Sequence, residues 1–337
     1  MKILVTGSNG FLGMALVERL LARGERDLRC LVRSEAARAS IVALGRRYPE
    51  ARVEPLVGTL ATPAGAAAAV NGADVVYHLA ASLAGAPADI FLSTVVASKN
   101  LLDAAVAGGP AIKMVLVSSF GVYGVAGLGR GAVVDETTPL EPHRERRDVY
   151  SHAKLRQELL FREYQARHGF PLVVLRPGVI YGCGGSRVSA RVGLELAGVF
   201  LHLGGTNLLP LTYVENCADA LVMAGQRPDA DGQTYNVVDD DLVTAKQYLD
   251  RYRRQVRPLR VLRVPYPLLW LGSWCVESYS RWSKGQLPPV FTRYRTATAW
   301  RPTRFSNARL KALGWAPAVP TEEGLRRAFE WYRRNPA

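Results

Sequence analysis

MKILVTGSNGFLG, residues 1–13, decides the fold of this chain. Lys2 to Val5 is a short apolar run of strand type. Thr6-Gly7 turns it, and from Phe11 the apolar residues of FLGMALVERLLARG recur at helical spacing, which predicts strand, glycine turn, helix. Each glycine has its own reason. Gly7 permits the tight turn, Gly10 lets a pyrophosphate reach the backbone, and Gly13 lets the helix pack close on the strand. The helix N-terminus offers free N–H groups and a partial positive charge to phosphate. Gly7, Asn9, Gly10, Phe11, Leu12 and Gly13 are therefore candidate contacts to a dinucleotide.

Outward from this unit the alternation continues. Asp27 to Arg33 reads as the second strand. In a dinucleotide fold an acidic residue about twenty positions past the glycines bonds the ribose 2′-hydroxyl of NAD. Here Arg33 and Ser34 stand at that place, and a guanidinium suits a 2′-phosphate, so NADP is preferred over NAD. Val53 to Val57 is the third strand, Thr62 to Asn71 an Ala-rich helix, and Asp74 to Leu79 the fourth strand, whose end at Ala80-Ala81 leaves room for a ribose. Thr94 to Ala107 is a helix, Ile112 to Val117 a strand running into Ser118-Ser119, Val149 to His168 a long helix, and Leu172 to Leu175 a strand ending at Arg176-Pro177-Gly178. Strands alternating with helices predict an α/β fold, a Rossmann-type doubly wound parallel sheet that binds ligands at the C-terminal strand ends.

After Val179 the pattern changes. Val188 to Val199 reads as helix, Asn216 as the cap of a helix ending near Gly225, Thr234 to Val238 as a late strand, and Glu322 to Arg333 as a closing helix. The expected division is a dinucleotide domain of residues 1–178 with about 212–248, and a smaller C-terminal substrate lobe of about 179–211 with 249–337. Pro265 to Trp282 (PYPLLWLGSWCVESYSRW) is dense in Leu, Trp and Tyr. It reads as lobe core, as a pocket wall for a flat apolar ligand, or as an amphipathic patch able to touch an anionic membrane.

Composition narrows the classes. In 337 residues, 48% are hydrophobic and 21% charged, an ordinary globular balance. No charged-then-apolar leader precedes the first strand, so no cleaved signal is expected, and no apolar run of spanning length is apparent. Cys30, Cys183, Cys217 and Cys275 form no CxxC, and the five histidines have no metal-ligand spacing, so reduced thiols in a cytoplasmic protein without a metal are expected. The net charge is +14, yet only seven of the 43 basic residues are lysine. With abundant Ala and Gly this fits codon bias, and no recognition module for nucleic acid is present. The basic run Lys246 to Arg263 reads as a solvated helix face.

Tyr150 and Lys154 are four apart on one helix and share a face. A hydride moving between a nicotinamide and an oxygen-bearing carbon needs an acid/base to handle the oxygen's proton. A free tyrosine titrates near 10. An ammonium about 4 Å away at an effective dielectric of 20 favours phenolate by about 4 kcal/mol, enough to bring Tyr150 into range. Ser119, at the preceding strand end, would hold the substrate oxygen.

Taken together, Thr6 through Gly13, His78-Leu79-Ala80-Ala81, Ser118-Ser119-Phe120-Gly121-Val122-Tyr123-Gly124, Tyr150 with Lys154, Arg176-Pro177-Gly178 through Tyr181-Gly182, Leu211 through Asn216, and Leu313-Gly314-Trp315-Ala316-Pro317 resemble the extended short-chain dehydrogenase/reductase (NAD-dependent epimerase/dehydratase) family. The resemblance runs over nearly the whole chain. It implies catalysis by Ser119, Tyr150 and Lys154, cofactor contacts that also include Leu79, Ala80, Ala81, Ser118, Pro177, Gly178 and Val179, and a homodimer through the Thr94 and Tyr150 helices. Thr94 departs from the family's frequent Asn, which leaves the proton relay open, and Thr59 stands where many members have Asp.

Relatives that act on nucleotide sugars commonly place Asn where Val179 stands and a diphosphate-binding Arg near Leu209. The Arg-Pro-Gly form instead resembles the 3β-hydroxysteroid dehydrogenase and dihydroflavonol reductase branch, which takes apolar or aromatic substrates. The expected activity is alcohol–ketone redox on a hydrophobic small molecule. A nucleotide-sugar epimerase, dehydratase or reductase is the alternative, with diphosphate held by Arg187, Arg191 or Arg293. A non-catalytic cofactor-binding protein is the third reading, and it would predict a broken triad.

Overall fold

The computed structural model describes residues 1–108, 112–283 and 292–336; residues 284–291 of the expected lobe lie outside this set. Seven strands carry the architecture: β1 (Ile3–Thr6), β2 (Asp27–Val32), β3 (Arg52–Val57), β4 (Val75–His78), β5 (Lys113–Val117), β6 (Leu172–Pro177) and β11 (Thr234–Val237). They form one parallel sheet in the order β11-β6-β5-β4-β1-β2-β3. The strand order reverses between β1 and β4, and ligands bind over that crevice in doubly wound sheets.

The alternation of side chains along each strand builds two cores. Ile3, Val5, Cys30, Tyr77, Val115 and Val173 point to one face, under α1 (Phe11–Ala22) and α6 (Val214–Gln226). Leu4, Leu31, Val76, Met114, Leu116 and Val174 point to the other, under α3 (Pro63–Val70), α4 (Pro87–Ala107) and α5 (Val149–His168). Because both faces are covered, the strands read as continuous apolar runs rather than alternating ones.

A third cluster lies apart from the sheet. Tyr181, Phe200, Leu209, Tyr213, Tyr248, Tyr252, Phe329 and Tyr332 pack together. They come from β7 (Val179–Tyr181), the hairpin of β8 (Gly193–Leu196) and β9 (Val199–His202), β10 (Leu211–Tyr213), α7 (Ala245–Gln255) and the closing α11 (Thr321–Arg334). Between α7 and α11 stand β12 (Val261–Arg263), α8 (Tyr266–Trp282), α9 (Arg293–Trp300) and α10 (Ala308–Ala312).

Four expectations need correcting. Residues 188–199 are not helical: Ala197 (φ 48°) and Gly198 (φ 75°) form a two-residue turn with both φ positive, which matches strand twist and joins β8 to β9. Asn216 does not cap α6. It is buried two residues inside, where its amide bonds the Asp239 carboxylate (3.0 Å) and both the carbonyl (2.8 Å) and N–H (2.9 Å) of Val319, tying the C-terminal segment to the sheet. The helix expected from Thr94 begins at Pro87 and passes through a π-helical turn at Leu92–Val96. That continuous helix is long and apolar enough to cross a membrane by composition alone, but Ala97, Leu101, Leu102 and Ala105 are buried against the second core. Finally, most of α8 is not core: its large apolar residues other than the half-buried Leu269 are exposed, and Trp270 with Glu277 lines a small cavity beside Arg293.

Candidate active site

The C-terminal ends of β1, β2, β4, β5 and β6 open into one cavity of about 820 Å³. Gly7, Asn9, Gly10, Phe11, Leu12, Gly13, Arg33, Leu79, Ala80, Ala81, Ser118, Ser119, Tyr150, Lys154, Pro177 and Gly178 all line it. Two candidates do not. The Ser34 hydroxyl instead caps α2 (Glu35–Gly45), accepting from the Ala37 N–H at 3.3 Å. Val179 is drawn into the third cluster by pairing of β7 with β10.

The glycine turn has the form a dinucleotide needs. Gly7 has φ 70°, and a Cβ there would lie 3.1 Å from the Ala80 nitrogen. Gly10 precedes α1 without any side-chain cap, so the first-turn N–H groups of Phe11, Leu12 and Gly13 face the cavity unclaimed by side chains. Arg33 is exposed at the end of β2 and makes no ion pair among the described residues. These groups fit a bound pyrophosphate.

Tyr150 and Lys154 stand on the first turns of α5, whose N-terminus is capped by Asp148 accepting from the Ser151 N–H at 2.8 Å. Ser119, two residues past β5, accepts from the Gly121 N–H at 3.1 Å and stands beside the half-buried Tyr150 phenol. Beneath them the structure is polar and buried. Ser118 donates to Glu158 at 2.6 Å, and Glu158 receives a bidentate Arg176 (3.1 and 2.6 Å) and Arg162. Against the burial that would raise it, Arg176 and Arg162 hold the Glu158 carboxyl below its ordinary value. This fixes α5 to the ends of β5 and β6, and it commits the Ser118 side chain away from a cofactor.

The lysine differs from expectation. Its Nζ donates to the Val117 carbonyl and to Gln157 Oε1, each at 2.5 Å. Burial lowers Lys154 to about 7, against the opposing pull of Glu158. The Tyr150 phenol is raised, not lowered: burial pushes it up, the neighbouring Ser119 hydroxyl opposes this, and Asp148 adds to the rise. A cation on the surface would have acidified its neighbour; a cation under the cavity floor carries its own desolvation cost.

Gln157 was not foreseen. Its Oε1 takes the Lys154 ammonium, while its Nε2 donates to Ser98 Oγ at 2.8 Å and lies 3.1 Å from His78 Nε2. His78 also bonds Thr6 Oγ1 at 2.8 Å, and burial, then the Lys154 charge, lower the imidazole to about 3. The Thr94 hydroxyl is engaged elsewhere, accepting from the Ser82 N–H at 3.2 Å. The position three residues past Lys154 on the same helix face was the available signal. Other unforeseen lining residues follow strand ends: Gly58 and Leu60 after β3, and Ser82, Leu83 and Asp89 after β4. Gly185 also lines it, lying so close that a Cβ would meet the Phe11 ring at 2.7 Å.

The buried lysine makes stability depend on pH. Its folded value near 7 lies below the ordinary 10.5, so between the two the unfolded chain holds more protons. The penalty is absent above the upper value and complete below the lower one, so stability rises with pH across this window. Lys154→Met is expected to remove a slope of up to about 1.4 kcal/mol per pH unit. Urea midpoints of both proteins at roughly pH 7 and pH 9 check this; equal slopes would refute it.

The sequence matches the model of the NAD dependent epimerase/dehydratase family over residues 3–238. The chain belongs to that family. A sterol-4-alpha-carboxylate 3-dehydrogenase, decarboxylating, of Candida albicans is 26% identical to it, covering 99% of this chain and 98% of its own. A 4-hydroxy-2-methyl-3-oxo-4-farnesyl-3,4-dihydroquinoline-1-oxide ketoreductase of Stigmatella aurantiaca is 30% identical over 74% of this chain and 71% of its own. Among solved structures, the UDP-glucose 4-epimerase of Thermus thermophilus in complex with NAD superposes with a TM-score of 0.72 at 22% identity, covering 100% of both chains. This family member is an NAD(P)-dependent enzyme of the extended short-chain dehydrogenase/reductase type. Among its described residues no group of three His, Cys, Asp or Glu is placed to hold a metal.

Proposed function

We propose that this enzyme interconverts a secondary alcohol and a ketone on a hydrophobic small molecule, with NADP as the preferred cofactor. The observation that carries the reading is the convergence of Ser119, Tyr150 and Lys154 on the cavity into which the glycine turn opens. The bound nicotinamide supplies or accepts the hydride. Ser119 donates a hydrogen bond that orients the substrate oxygen, and Tyr150 gives or takes its proton. Lys154 lies below, where its ammonium would hold ribose hydroxyls and favour the phenolate once Gln157 and Val117 share it with them.

The substrate class rests on charge. Arg33, Asp89 and Lys154 are the charged side chains in the cavity wall. Asp89 belongs to α4, which packs on the Tyr150 helix through Phe91 against His152 (ring centroids 5.1 Å). A carboxylate there disfavours a diphosphate, and Leu83 and Leu92 beside it favour an apolar group. The arginines weighed as diphosphate ligands are engaged: Arg187 with the Asn335 carbonyl, Arg191 with that of Ala299, and Arg293 with Glu277. Leu209 is buried in the third cluster, which we read as the core of the substrate lobe. The two relatives named for a sterol carboxylate and a farnesylated quinoline oxide act on bulky apolar molecules, in agreement with this reading.

A thermal-shift screen of UDP, GDP and CDP sugars against steroids and aromatic ketones tests the substrate class; stabilisation by one nucleotide sugar alone would reverse it. For the cofactor, Arg33→Ala is expected to weaken NADPH binding about 10- to 100-fold, the worth of a charge-assisted bond, and to leave NADH binding unchanged. Equal NADPH and NADH dissociation constants in wild type would remove the 2′-phosphate argument. We further read the protein as cytoplasmic and homodimeric, with the exposed Val96 of α4 as apolar contact surface.

A further inference from the structure

We propose that α8 docks this enzyme on the surface of an anionic lipid bilayer. The helix is built inside out. Its inward side is polar: Ser273 and Ser280 are buried, Ser273 Oγ bonds Thr296 Oγ1 at 2.7 Å, and Glu277 accepts from the Arg293 N–H (2.7 Å) and Nε (2.8 Å). On a helical wheel, Leu268, Leu271, Cys275, Tyr279 and Trp282 form one stripe opposite Ser273 and Ser280. That stripe is exposed, Leu268 at 60% and Trp282 at 78%, with Trp274 on its flank also exposed, while Trp270 lies on the anchored side under the Arg293 guanidinium. A soluble helix turns such a stripe to its core and its serines and glutamate to water.

Charge selects the occupant. The strand that feeds the helix carries exposed Leu262 between exposed Arg260 and Arg263, and Arg281 ends it. None of these arginines has an ion-pair partner among the described residues. Arg263 also joins Arg253, Lys246 and His202 around a concavity of about 420 Å³, whose one acid, Asp250, is paired with Lys246. An apolar stripe with Trp and Tyr at its edge and arginines at both ends fits a helix lying in the plane of the headgroups, its side chains in the acyl boundary and its guanidiniums on lipid phosphate. The polar anchors to α9 keep the helix on the protein, so it lies on the bilayer and does not cross it. A second copy of the chain would bury the stripe but gives no role to the unpaired arginines.

The full chain is mixed with vesicles of equal phosphatidylcholine and phosphatidylglycerol, or of phosphatidylcholine alone, and floated on a density gradient. Wild type is expected to float with the anionic vesicles and to stay behind with the neutral ones. Leu268→Ser/Leu271→Ser/Trp282→Ser, all at exposed positions, is expected to lose roughly tenfold or more of the binding with an unchanged circular-dichroism spectrum. Arg260→Glu/Arg263→Glu is expected to weaken binding to the anionic vesicles. Wild type that fails to float with either vesicle, or a triple variant that floats like wild type, overturns the proposal. So does a concentration-dependent dimer that the triple variant abolishes without any vesicle binding. Flotation does not involve turnover, so its failure leaves the oxidoreductase reading untouched.

Discussion

Tyr150→Phe is expected to lower turnover about 10²- to 10⁴-fold while leaving the dissociation constant of NADPH within about twofold, the size of a positioned acid/base contribution. The hydroxyl is the one group removed. Tyr150 stays half-buried on the first turn of a helix whose N-cap and Glu158 anchors are unchanged, so the ring has no reason to move. The Ser119 hydroxyl beside it keeps its own bond from the Gly121 N–H. Because burial lifts this phenol, it is protonated in the free enzyme and suited to giving a proton to a ketone oxygen. Reduction is therefore expected to fall off on the alkaline side. Steady-state reduction of the best ketone from the thermal-shift screen, with cofactor binding read by fluorescence quenching, makes the measurement. Unchanged turnover would refute the assignment of Tyr150 as acid/base, and loss of NADPH binding would mean that the substitution had disturbed the cleft instead.

Gly13→Ala is expected to destabilise the fold by about 1–3 kcal/mol and to weaken NADPH binding at least tenfold. The added methyl would sit 2.1 Å from the Gly7 carbonyl oxygen and 2.7 Å from that of Ser8, both backbone atoms that cannot swing aside. The first turn of α1 must then back away from β1, carrying the N–H groups of Phe11 and Leu12 out of line with the phosphate position. Gly129→Ala is the control: a methyl there meets nothing within 4 Å, and it should stay within about 0.5 kcal/mol of wild type. Urea unfolding and an NADPH titration on the three proteins read both effects. If Gly13→Ala bound NADPH as wild type does, close helix–strand approach would not be what holds the cofactor site together.

What the sequence determined by itself is whatever depends on near neighbours. The strand–turn–helix of residues 1–13, the alternation of strands and helices along the first 178 residues, and the i, i+4 pairing of Tyr150 with Lys154 follow from local periodicity and from glycine's lack of a side chain, and they hold in any context that buries the apolar faces. The tertiary structure alone decided what depends on burial and on partners far along the chain. Asn216 could not be seen as a buried tie, because Asp239 and Val319 lie distant in sequence. The hairpin of residues 193–202 hung on two positive φ values, one of them at an alanine, which favours no such geometry. Gln157 became the seat of the buried Lys154 only when His78 and Ser98 closed around it from two other elements. The charge balance of Tyr150 and Lys154 was set by desolvation, and the direction of the stripe on α8 by the polar anchors to α9, since a side chain's spacing fixes its face of a helix but not what that face will meet.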